Sequence, residues 1–441
     1  MFYANSPGRV ARAILAPVLF VGALGWAGAS PATAAPTVRG HLLPVPAAGA
    51  HRQISVWAVD VSPLGVVAGN VEQTTTAPDG SASYLELPQR WAEVPGVGWL
   101  RQQLALPAGA TSGRVNGLTD PGEAAGSVTL SDGRAARWSI DGRYTTLIGG
   151  ASTSVTAVGP HGPWAVLTYD DDIPVIGESE LVTRDNVRTP LSGTPDLDTG
   201  SRRSVSSVGG PDTAIVWVGE GLGQGRTSRP VLWKAGATLR FPVISSYFLG
   251  PACTSEVQAD GSTVYSGYLR DDGEIAFALV RHVGGVPGAD ITLSRATGAG
   301  QPTGGLDCTP ASSADTLASD GGVAGYLTDT NGRQAAYWDA ANTLTVVARE
   351  AGEQSASGVA VADGGRMVIL AQHDDGTSRV SLWDNGMRTR LTTPAGWTVT
   401  SVVELTDAGL LVANARNAAG VARPIAWNLT GRVAPRGRSG V

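Results

Sequence analysis

Charge is scarce in this chain. Arg and Lys number 32 and Asp and Glu 38 in 441 residues, so 16% of the chain is charged where about a quarter is usual. Lys234 is the only lysine. A formal charge of −6 leaves no basic excess to displace counterions from phosphates, which excludes a nucleic-acid binder. The five histidines, His41, His51, His161, His282 and His373, are scattered and form no His-Glu-x-x-His motif, and no Gly-x-Ser-x-Gly nucleophile elbow is present. No useful length of the chain carries helical periodicity, which excludes a coiled coil. Beyond the first 35 residues no apolar run is long enough to span a bilayer, which excludes a polytopic membrane protein. What the chain does have is 59 glycines, 27 prolines and 42% hydrophobic residues, enough for a packed core cut by many turns.

Residues 1–35 read as an export signal. Arg9 and Arg12 precede an apolar run from Ala13 to Ala27, and Ala32-Thr33-Ala34 supplies a small-x-small cleavage pattern. The run is short, and small residues and proline follow it, so cleavage is favoured over anchoring. A secreted, extracellular protein without a membrane span after cleavage is expected. In an oxidising compartment the two cysteines, Cys253 and Cys308, favour a disulfide over two free thiols. Two thiolates with no nearby histidines make a poor zinc site.

The mature chain repeats itself every 40–60 residues or so, a period that points to a propeller or solenoid. Gly267-Tyr268-Leu269, Asp271-Asp272-Gly273 and Ile275-Ala276-Phe277 can be laid beside Gly325-Tyr326-Leu327, Asn331-Gly332 and Ala335-Ala336-Tyr337-Trp338. A tryptophan recurs at the matching place as Trp91, Trp138, Trp233, Trp338, Trp383 and Trp427, and is missing near Val182 and near Leu279. Each unit carries up to three Asp-Gly or Asn-Gly type turns, whose residues take the positive φ of tight hairpins. Three hairpins make four antiparallel strands. We therefore expect an all-β propeller of about eight four-stranded blades, with seven as the alternative. It should occupy residues 53–431, with the repeating tryptophans as buried anchors and a disordered basic tail over 432–441. The last unit lacks a clear fourth strand, and the N-terminal segment 36–52 could supply it through Val38–Leu43. Cys253 and Cys308 precede Gly267 and Gly325 by similar lengths, so both are expected in loops entering the first strands of successive blades, where a bridge is feasible.

The units resemble the HAF-type repeat of bacterial extracellular proteins, which couples a His-Ala-Phe-x-Trp strand to a Leu-Gly-Gly-x-x-Ser-x-Ala linker. Ala136-Arg137-Trp138, Asp141-Gly142 and Leu147 to Ser154 carry the likeness, as does Ala276-Phe277, while the histidine is absent from every copy. The resemblance implies a secreted, propeller-like repeat protein and assigns no catalytic residue.

Candidate chemistry is sparse. Gly219 to Gly225 has the glycines of a phosphate loop but stands between strands, without the helix N-terminus that would hold phosphate; a hairpin fits better. Asp170-Asp171-Asp172 is the densest acidic run; three carboxylates on a turn could bind calcium, but the spacing matches no calcium loop and a solvated turn fits better; no other cofactor is indicated. Trp57, Trp99, Trp164, Trp217 and Trp397 fall off the repeat and are the candidate ligand-binding residues, since an exposed indole can stack on a sugar ring. The expected function is that of a monomeric, non-enzymatic binding propeller for a carbohydrate, cell-wall component or protein. The alternative is a glycan hydrolase or lyase with carboxylates near the central channel. Buried carboxylates with perturbed acidity near the axis would favour the enzyme, and aromatic platforms would favour glycan binding.

Overall fold

Short β-branched runs between Asp-Gly and Asn-Gly turns leave no room for helices. The computed structural model, which describes residues 38–47, 52–148, 152–169, 177–191, 203–220, 227–244, 252–271, 274–296, 303–307, 315–330 and 332–429, has strands and no helix among them. The strands form eight sheets, antiparallel but for one N-terminal strand, whose main strands follow one another along the chain. Blade 1 spans residues 52–103, blade 2 112–146, blade 3 153–190, blade 4 203–240, blade 5 243–296, blade 6 303–347, blade 7 353–392 and blade 8 397–428. The protein is an eight-bladed β-propeller, which decides between eight blades and seven. The ends of the first strands, Val61, Leu118, Val158, Gly209, Val361 and Leu405 among them, line one shared cavity, so the first strand of each blade is innermost.

The recurring tryptophan has one register. Trp91, Trp138, Trp233, Trp338, Trp383 and Trp427 lie in the third strands and pair with Val67, Ala124, Ala214, Val323, Met367 and Leu411, each near the start of a second strand. All six are buried. In three blades the indole N–H also bonds a carbonyl of the chain that leads in from the preceding blade. Trp138 donates to the Ala105 carbonyl at 2.7 Å, Trp427 to Thr392 at 3.1 Å and Trp91 to Pro44 at 2.7 Å.

The two blades without this tryptophan solve the packing differently. In blade 3 the position holds Val182, and its cross-strand partner is Trp164, so the indole has moved one strand over to fill the same space. In blade 5 the position falls on His282, paired with Thr263, and not near Leu279 as the sequence alignment suggested. His282 packs edge-on against Phe241 with centroids 5.5 Å apart, and Phe241 stacks on Tyr265 at 4.5 Å. Three smaller rings replace one large one.

The N-terminal segment spans two blades. His41–Leu42 pairs antiparallel with Ala422–Asn428 as the outermost strand of blade 8, through His41↔Ala426 and Leu42↔Ile425. Val38–Arg39 pairs parallel with Met387–Thr392 as a fifth strand on blade 7. Between them sits Gly40. A Cβ there would stand 2.7 Å from both Ile425 and the Trp427 indole, so only glycine lets the strap cross.

Side-chain amides also sew blades together. Asn414 of blade 8 accepts from the Ala58 N–H at 2.8 Å and donates to the Ala58 carbonyl at 2.9 Å, imitating a strand partner across the junction of blades 8 and 1. Asn70 does the same for Val115 of blade 2, at 2.7 and 2.9 Å. Cys253 lies inside the innermost strand segment of blade 5, Cys253–Thr254, and not in the loop before it. Its expected partner Cys308 lies outside the described residues, as do the export signal, the basic tail, Asp170–Asp172 and most of Gly219–Gly225. No helix among the described residues is long and apolar enough to cross a membrane.

Candidate functional site

Just before the first turn of each blade the inner chain carries a Val or Leu, and the residue before that apolar one is Asp60, Gly117, Ala157, Ser207, Glu256, Thr316, Ala360 or Glu404 in blades 1 to 8. The same ladder position thus carries a carboxylate in blades 1, 5 and 8, and Asp315 stands one residue earlier in blade 6. The propeller closes these strands into a ring, so all four acids meet at the axis. They line a cavity of about 520 Å³ together with Asp120, Asp260 and Asp407 from the turns. Among the described residues no arginine or lysine lines it and the one basic side chain is His161, which contacts Asp120 at 3.1 Å.

Blades 1 and 8 are neighbours only because the ring closes, and there Asp60 meets Glu404. Asp60 Oδ2 accepts from the Leu118 N–H at 2.6 Å and Oδ1 from the Val61 N–H at 2.7 Å, while Glu404 Oε2 accepts from Val61 at 3.2 Å. Burial pushes Asp60 up to about 6; the Leu118 and Val61 amides and a hydrogen bond from Glu404 hold it from rising further. Burial also lifts Glu404 well above the usual carboxylate range, and the charges of Asp60, Glu256 and Asp315 add to this. Adjacent like charges oppose double ionisation, which adds to the lift on Glu404.

Glu256 and Asp315 behave alike for the same reason. Glu256 faces the open cavity and Asp315 is half-buried in its wall, and the protein crowded around both leaves their charged forms poorly hydrated. Asp315 is pushed up to about 7 by burial, against the pull of the Leu317 N–H. Glu256 is raised well above its ordinary value by burial and then by Asp315, Asp60 and Asp120. Toward the mouth, Asp120 is raised more modestly by burial, with His161 offsetting it. The rim is ordered by acids that accept amides from neighbouring turns: Asp363 takes the Asp320 N–H at 3.0 Å, and Asp407 takes the Asp363 N–H at 2.8 Å.

Such a cavity can attract and neutralise a cationic group, and it can hold a carboxylic acid beside a carboxylate. Among the described residues no set of three or more His, Cys, Asp or Glu is arranged to hold a metal ion. The calcium candidate, Asp170–Asp172, lies outside them.

The five off-repeat tryptophans are not brought together, and none of them lines the central cavity. Trp164 is fully buried as the anchor of blade 3, so its indole cannot meet a ligand; its place in the core corrects the expectation drawn from its position off the repeat. Trp57 is half-buried, with the Arg416 guanidinium 4.9 Å from its ring centre. Trp99 packs on the apolar cluster that includes Trp91, and Trp217 donates its N–H to Ser206 Oγ at 3.1 Å. Trp397 lines a separate groove between blades 7 and 8. The axial carboxylates were visible in sequence only as single acids before Val or Leu. Aligning the eight units on their turn glycines puts Asp60, Glu256 and Glu404 at one position, and that alignment is the signal that reveals them.

No protein-family model matches the chain, and no curated protein does. Among solved structures, the chain is similar to an acylaminoacyl peptidase of Pyrococcus horikoshii, at 9% identity and a TM-score of 0.44 over 85% of this chain and 51% of that one. It is similar to a puromycin-hydrolyzing peptidase of Mycobacterium tuberculosis, at 13% identity and a TM-score of 0.42 over 90% of this chain and 55% of that one. A putative TolB of Agrobacterium tumefaciens matches at 12% identity and a TM-score of 0.33, over 56% of this chain and 90% of that one. The chain spans about half the length of the two peptidases.

Proposed function

We propose that this chain is a secreted, monomeric binding propeller that takes a cationic group of its ligand into the mouth of the central cavity. One observation carries the reading: among the described residues seven carboxylates line that cavity and no arginine or lysine does. A concave, acid-lined site in low-dielectric surroundings focuses negative potential and favours amines and guanidinium groups. Amino-bearing wall glycans and basic side chains of a partner protein both meet this requirement. Secretion with cleavage of residues 1–35, kinship with the HAF-type repeats and a Cys253–Cys308 bridge belong to the same proposal. All three rest on the sequence patterns, and burial of Cys253 in the innermost strand of blade 5 is compatible with the bridge.

The test is calorimetric titration of the mature chain with a tetramer of glucosamine and with cellotetraose, its neutral counterpart. Binding of the amine-bearing tetramer alone, weakened by Asp407→Asn and by lowering the pH from 7 to 5, supports the reading. Equal binding of both, or of neither, rejects it. A second reading, glycan hydrolysis, is favoured by one feature: Glu404, lifted well above the usual carboxylate range, lines the same cavity as six other carboxylates, and a glycosidase needs an acid and a carboxylate facing each other across such a pocket. Release of reducing ends in the same titration, abolished by Glu404→Gln, would select it.

A further inference from the structure

A second cavity, of about 460 Å³, opens between blades 7 and 8, lined by residues from the third-strand hairpin and outer strand of blade 7 and from the start of blade 8. Its volume lies within the range of small-ligand sites. Three features set it apart from the axial cavity. Trp397, half-buried against the blade 7–8 core, forms one wall. Its indole N–H has no acceptor among the described residues, and Arg423 stands 5.8 Å from its ring centre. Two arginines, Arg379 and Arg390, line the same space, and both also line a smaller cavity with Glu350 and Glu353. Arg379 is paired with Asp375 at 3.0 Å, whereas Arg390 is exposed and has no carboxylate partner among the described residues. Hydroxyls of Thr392 and Thr398 complete the lining. In a molecule of net negative charge this groove carries one positive charge in excess.

We infer that the blade 7–8 groove binds an acidic saccharide, with a sugar carboxylate held by Arg390, the ring against Trp397 and sugar hydroxyls toward the threonines. Guanidinium suits a carboxylate because its planar fork makes paired, charge-assisted hydrogen bonds. An indole supplies flat apolar surface for the C–H face of a pyranose and a donor at its edge. A bare anion would use the arginine and leave the indole idle; a neutral sugar would do the reverse. The site does not depend on the ligand of the central cavity.

Titration of the full mature chain with trigalacturonate, with cellotriose and with sodium sulfate tests the assignment. Trigalacturonate should bind, and Arg390→Met, an exposed change that leaves the strand pairing intact, should weaken it by about tenfold or more. Trp397→Leu should weaken trigalacturonate as well, whereas Asp407→Asn at the central cavity should leave it unchanged. Chemical-shift changes confined to the blade 7–8 residues would place the sugar independently of any variant. No trigalacturonate binding at millimolar concentration, binding unchanged in Arg390→Met, or equally tight displacement by sulfate would overturn the inference. Cellotriose binding as tightly as trigalacturonate would overturn the role of the carboxylate.

Discussion

The indole of Trp164 shows how a side chain's role is set by the space it fills and not by the strand that carries it. It faces Val182 across the ladder, in the register where six other blades place tryptophan opposite an aliphatic residue or alanine. Trp164→Ala should therefore cost about 3–5 kcal/mol, as much as Trp138→Ala, when both are measured by denaturant unfolding. A smaller loss for Trp164 would mean that blade 3 is anchored elsewhere. The axial acids follow a different logic. Asp60 at about 6 and Asp315 at about 7 keep protons in the folded chain that the unfolded chain has released. Stability from these groups is therefore present below about pH 4 and falls as pH rises toward 7. Asp315→Asn can still accept the Leu317 N–H and loses the ionisation. Its melting temperature should match the wild type at pH 4 and exceed it at pH 8; a constant difference across that range would refute the assignment.

At the scale of elements, the junction of blades 8 and 1 is held by devices that act on backbone groups. Asn414 satisfies both the N–H and the carbonyl of Ala58, so Asn414→Ala strands two buried polar groups. We expect a loss of about 2–4 kcal/mol in equilibrium unfolding, from roughly 1–3 kcal/mol for each unsatisfied group. Asn70→Ala, at the same position of blade 1, should cost a similar amount. The strap at Val38–Leu42 is more local. Gly40→Val would drive a side chain into Ile425 and Trp427 and should lower stability by about 1–3 kcal/mol through overpacking. Hydrogen exchange should then show loss of protection at Ala426 and Leu391 before any change in blades 2 to 5. Uniform loss across the ring would show that the strap is not an independent closure.

For the whole molecule, ring closure produces the candidate site as well as the fold. The strands bearing Asp60 and Glu404 lie at opposite ends of the chain, and only closure makes these acids neighbours. Closure also turns single acids in blades 1, 5, 6 and 8 into one negative cavity. The proposed Cys253–Cys308 bridge would tie blade 5 to the chain around blade 6. Intact-mass measurement of the oxidised protein should show two fewer hydrogens than the reduced form; two alkylatable thiols in the oxidised protein would exclude the bridge.

By itself, the sequence determined the strand content, the turns and the blade unit, because hairpin glycines, alternating apolar residues and a recurrent tryptophan are local chemistry that survives reading one residue after another. It also marked Trp397 as a residue outside the repeat, now found in a groove beside Arg390. It could not determine that Trp164 belongs to the core, since an indole displaced to the opposite strand of a pair looks aperiodic until the strands are paired. Nor could it show that three acids before a turn share an axis. Eight blades against seven, the double attachment of Val38–Leu42, the Asn414 clasp and the meeting of Asp60 and Glu404 were all decided by tertiary structure. Each depends on contacts between residues hundreds of positions apart, and only the curvature of the assembled ring brings those together.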